Sequence, residues 1–74
     1  MRIVKKGQKY RHFKGNIIEV LEIAKHTETL EELVIYKHID TNNIWARPLG
    51  MFNSLTDKEK YPDVIQNYRF ELID

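Results

Sequence analysis

Ile17-Ile18-Glu19-Val20-Leu21-Glu22-Ile23-Ala24, then Lys25-His26-Thr27-Glu28-Thr29-Leu30-Glu31, then Glu32-Leu33-Val34-Ile35-Tyr36 is the stretch whose reading decides the fold. Its first part admits two structures. Ile17, Leu21 and Ala24 fall on one helical face. Ile17, Ile18, Val20 and Ile23, however, are β-branched, and such side chains favour strands. Gly15-Asn16 and Thr27–Thr29 flank the segment as turns. Thr29 with Glu32 three residues on resembles a helix capping box, but Leu33-Val34-Ile35-Tyr36 is an apolar, aromatic run of strand character. A β-hairpin with residues 27–31 at its tip accounts for both halves. It also leaves the acidic tip in water.

Working outward, Tyr10–Lys14 alternates aromatic and basic residues and reads as an exposed strand edge. Asp40-Thr41-Asn42-Asn43 is a second turn. Ile44–Leu49 is a short third strand, which Pro48 confines to an edge or an end. Residues 51–56 read as a helical turn and residues 56–62 as polar loop. Tyr68–Ile73 closes the pattern as a strand. The expectation is mainly β: a small barrel of about five strands with a short helical turn, because closure removes exposed sheet edges.

At 74 residues the chain makes one domain, spanning 1–74, with a modest core. It has no cysteine, so neither a disulfide nor a thiolate is available. Twelve Lys and Arg against 11 Asp and Glu argue against a dedicated polyanion binder. Charge is uneven all the same. Residues 1–15 hold Arg2, Lys5, Lys6, Lys9, Arg11 and Lys14 and no acid, whereas Glu28–Glu32 holds three acids and no base. No apolar run spans a bilayer, and no apolar stretch follows the basic N-terminus as in a secretory signal. A cytoplasmic protein, cellular or virus-encoded, is the expectation.

Three blocks resemble a known family: Tyr10-Arg11-His12-Phe13-Lys14-Gly15-Asn16, Ala24-Lys25-His26-Thr27-Glu28-Thr29, and Ile44-Trp45-Ala46-Arg47-Pro48-Leu49 with Met51-Phe52. Val34-Ile35-Tyr36, Lys60-Tyr61-Pro62 and Tyr68-Arg69-Phe70 fit as well. Together they are similar to the small bacterial family known as domain of unknown function 1653, over nearly the whole chain. The resemblance implies an SH3-like β-barrel and no established activity. Leu30 departs from it, because many members carry glycine there. A longer or bulged turn is therefore expected at the hairpin tip.

Chemistry-bearing motifs are few. His12, His26 and His38 lack the spacing of a metal motif, and no metal or other cofactor is expected. The hydroxyls of Thr27, Thr29, Thr41, Ser54 and Thr56 sit in no nucleophile motif. Gly7, Gly15 and Gly50 are too far apart to form a phosphate loop. The chain reads as a binding module rather than an enzyme.

The candidate ligand-binding residues are Tyr10, His12, Lys14, His26, Thr27, Thr29, Tyr36, Trp45 and Arg47. Aromatic faces stack on rings, and arginine grips carboxylate or phosphate through two hydrogen bonds. That mixture points to an anionic small molecule or nucleotide; sequestration of a nucleotide signal by a viral protein is one version. Some of these residues also have a bland reading. Trp45 serves as the main core residue, Arg47 pairs with Glu19, Glu22 or Glu28, and Lys14 is a solvated turn residue. Phe13 and Phe52 read as core. Two other partners stay open: a proline-rich peptide on Tyr10, Tyr36 and Trp45, or a nucleic acid on Arg2–Lys14. A small core with an open edge strand leans toward a homodimer.

Overall fold

The β-branched run of the deciding stretch folds as a strand, and its partner folds beside it. The structure, a computed structural model, describes residues 3–73. Five strands, β1 (Lys9–His12), β2 (Ile17–Lys25), β3 (Glu32–His38), β4 (Ile44–Pro48) and β5 (Phe70–Leu72), form one antiparallel sheet in the order β4-β3-β2-β1-β5. A one-turn helix, α1 (Leu49–Phe52), follows β4. The mainly β architecture with a short helical turn is as the sequence leads one to expect.

A bulge explains why β2 is ambiguous in sequence. Val20 pairs with Tyr36 and Glu22 with Ile35, which leaves Leu21 as the extra residue. Ile18 and Val20 point into the core before the bulge, and half-buried Ile23 packs against it afterwards. The extra residue breaks the period of two and adds local twist.

The sheet does not close into a barrel: β4 and β5 are its two ends. Side-chain packing fills the gap that hydrogen bonds leave open. α1 lies against β3 and β4 and delivers Phe52, whose ring stacks on Phe70 of β5 at 4.2 Å. Tyr10 meets Phe52 edge-on at 5.1 Å, and Tyr36 meets Phe70 at 5.6 Å. With Val4, Ile18, Val20 and Val34 these four rings are the core.

Three local readings change. β1 is not a sheet edge, because β5 pairs along its other side. The helical turn begins two residues earlier than expected, directly after Pro48, whose fixed φ and missing N–H suit the start of a helix. Leu30 does not avoid the glycine conformation: its φ is +62°. The Leu30 N–H donates to the His26 carbonyl and the His26 N–H to the Glu31 carbonyl, so residues 27–30 form a four-residue loop.

Candidate functional site

The site begins at the β1–β2 turn. The Gly15 N–H donates to the His12 carbonyl, and the His12 N–H to the Asn16 carbonyl. Gly15 has a φ of +100°, which a side chain at this position would strain. This three-residue loop of Phe13, Lys14 and Gly15 is a common hairpin form. It holds the Lys14 N–H at 3.1 Å from His12 Nδ1. An Nδ1 that accepts carries no proton, so the neutral His12 ring keeps its proton on Nε2.

Three further segments converge on this turn. Arg47 reaches in from β4; its guanidinium lies 5.6 Å from the Phe70 ring centroid, and its Nε donates to the Tyr36 hydroxyl at 3.4 Å. Arg69 precedes β5. Its backbone N–H donates to the Ser54 carbonyl, its carbonyl accepts from the Phe13 N–H, and its Nε donates to Ser54 Oγ at 3.1 Å. Lys60 and Tyr61 come from the turn at residues 57–61, which Asp57 organises by accepting from the Glu59 and Lys60 N–H groups. Gln66 ties this loop to β1 by donating to the Arg11 carbonyl at 2.9 Å.

Together they enclose a cleft of about 280 Å³. Lys14, Arg47, Lys60 and Arg69 line it, with Asp57 as its one carboxylate. None of the four cations makes an ion pair among the described residues, where Lys6 and Glu22 supply the pair at 3.7 Å. A row of rings runs from the core into the cleft, of which His12, Phe13 and Tyr61 line it. The core ring Phe70 lies 4.9 Å from His12, His12 lies 4.4 Å from Phe13, and Phe13 lies 4.8 Å from Tyr61. Lys14 and Lys60 each lie 5.5 Å from the Tyr61 centroid, within cation–π range.

His12 records this electrostatic environment. Burial first, then the positive charges of Arg47, Arg69 and Lys14, and finally His38, lower its pKa from 6.5 to about 4. A histidine that stays neutral here adds no charge, and its Nε2–H is a neutral donor for an anion.

The candidate residues part company at this cleft. His12, Lys14 and Arg47 line it together. Tyr10 and Tyr36, at 1% and 4% exposure, are core residues whose rings offer no ligand face. Tyr36 acts on the cleft only through its hydroxyl, beneath Arg47. His26, Thr27 and Thr29 occupy the hairpin tip at the opposite end of β2 and do not line the cleft. Roughly 25 Å of strand lies between, at ~3.3 Å per residue.

Trp45 is 52% exposed and is not the core residue that its size favours. It pairs with Tyr36, but on β4, an end strand that no further strand covers. Arg47 pairs with none of the glutamates considered for it. Phe13 is half-buried and lines the cleft, whereas Phe52 is fully core. Arg69, Lys60 and Tyr61 line the cleft and were not among the candidates from sequence. The one signal for them was their place in the family-like tail. Arg2 lies outside the described residues. Among those residues no group of three His, Cys, Asp or Glu is placed to hold a metal, and no helix is long and apolar enough to cross a membrane.

Fold and cleft together define a small open-sheet β protein with a cationic, aromatic-lined cleft. Residues 8–72 match the family described as "Protein of unknown function (DUF1653)", and the chain belongs to that family. Comparisons with curated proteins and with solved structures gave no match.

Proposed function

We propose that this protein is a non-catalytic binding module for a small anionic ligand, of nucleotide or related phosphate chemistry, held in the cleft between Lys14, Arg47, Lys60 and Arg69. One observation carries the reading. Four cations from four separate chain segments converge without a carboxylate partner among the described residues. Such a cluster repels itself when empty, and an anion relieves that repulsion. Arg47 and Arg69 each anchor Nε on a protein hydroxyl, which leaves their terminal nitrogens to face a ligand.

The volume of about 280 Å³ sits at the lower limit of small-molecule pockets, ~300 Å³, and suits one small ligand rather than a large one. A proline-rich peptide is less well served, because two of the three rings expected to line its groove lie in the core. A nucleic-acid strand needs a longer basic track than one cleft. The absence of cysteine supports a cytoplasmic setting. The open edge of β4, with Ile44 and Trp45 exposed, supports a homodimer.

Thermal melting with a panel of phosphates and nucleotides tests the reading. A true ligand at 100 times its Kd adds ~2.7 kcal/mol, a rise of ~10 °C or more for a domain this size. The rise should fall to about half or less in Arg69→Ala. A panel that produces no rise, or a rise indifferent to Arg69, contradicts the proposal.

A further inference from the structure

The four cations are not spread evenly around the cleft. Arg47 lies over Phe70, the first ring of the row, and Arg69, whose carbonyl accepts the Phe13 N–H, enters beside the middle of it. Lys14 and Lys60 both lie over Tyr61, the last ring of the row. His12 and Phe13 fill the interval between them. There is thus an arginine at one end and a lysine pair at the other.

The two ends differ in chemistry. Guanidinium forks grip a phosphate through paired hydrogen bonds. Ammonium groups act as compact charges, and here the Tyr61 ring steadies both of them. Four cations against Asp57 leave three net positive charges in a cleft of about 280 Å³. One phosphate group supplies only about −1.5 to −2 at neutral pH; two supply about −3 to −4.

We infer that the ligand is a small molecule carrying two phosphate groups, one held by Arg47 and the other by Lys14 and Lys60, with Arg69 between them. The inference rests on the anion-binding reading above and narrows it from one anionic group to two at separate ends.

Calorimetric titration of the full chain, without divalent metal, tests it with adenosine 5′-monophosphate and adenosine 3′,5′-bisphosphate. The bisphosphate should bind at least tenfold more tightly. The double variant Lys14→Ala/Lys60→Ala, altered in two exposed loops, should weaken the bisphosphate more than the monophosphate and bring the ratio toward one. Equal affinities in the wild type overturn the two-phosphate inference and leave the anion site standing. So does a ratio that the double variant does not change. If neither compound binds at millimolar concentration and orthophosphate and pyrophosphate also fail, the anion site itself is refuted.

Discussion

The turns at the two ends of β2 are built alike. A histidine precedes each, His12 in one and His26 in the other. In each the histidine Nδ1 accepts a backbone N–H from two residues on, Lys14 or Glu28, at 3.1 Å. Each loop ends in a residue of positive φ, Gly15 or Leu30. Their surroundings are opposite. At the hairpin tip Thr29 N–H donates to His26 as well, Thr29 Oγ1 accepts from the Glu31 N–H, and the neighbouring charges are acidic. Its polar groups serve the loop itself. At the β1–β2 turn, Arg47, Arg69 and Tyr61 arrive from distant parts of the chain and line one cleft with the histidine. A histidine-capped turn is therefore only a scaffold; the topology that covers one of them makes the cleft.

The largest test of this contrast is loss of binding. Arg69→Ala removes charge-assisted hydrogen bonds worth ~1.5–3 kcal/mol and should weaken an anionic ligand roughly 10- to 150-fold by calorimetry. Thr27→Ala and Thr29→Ala at the other turn should leave that affinity unchanged.

Exchanging the turn residues comes next. Gly15→Ala puts a Cβ into the left-handed region and should cost ~1–2 kcal/mol in urea unfolding. Nothing lies within 4 Å of that Cβ, so the cost would be conformational rather than steric crowding. Leu30→Gly should do the reverse. Leu30 is 69% exposed and so little packing is lost, and relief of its φ should add ~1 kcal/mol, a rise in Tm of ~4–8 °C.

The smallest effect is on pH dependence. The His12 pKa is lowered by burial and by its cationic neighbours, from 6.5 to about 4. Between those values the unfolded chain binds the extra proton and the native one does not. The stabilising contribution is complete above about pH 6.5 and declines as pH falls toward 4. Arg47→Ala removes the largest charge acting on the ring, so His12 should titrate at higher pH and the decline should flatten, as acid unfolding would show.

How much of this could be read from sequence follows from the range of the interactions. The β2–β3 hairpin was legible because Ile18, Val20, Val34 and Tyr36 carry strand preference locally and the loops carry their own turn residues. The Leu21 bulge was not, since one extra residue mimics a helical period over so short a run. Lys14 and Arg47, cations near aromatics, were legible as candidates, and both line the cleft. Arg69, Lys60 and Tyr61 were not legible, because long-range contacts such as Gln66 to the Arg11 carbonyl bring their loop to the turn. Tyr10 and Trp45 misled for the same reason. Ring size marks neither core nor surface until the sheet order says which strand is covered.

Proton NMR of the histidine rings tests the central claim most directly, because His12 and His26 report on the two turns in one sample. In the free protein His12 should titrate near pH 4. Saturating inorganic pyrophosphate should offset the charges of Arg47, Arg69 and Lys14 and move that titration upward, though burial, the larger cause, keeps it below 6.5, while the His26 ring signals stay where they were. If pyrophosphate leaves His12 unmoved, or shifts both rings alike, the cleft is not the anion site and the account is wrong.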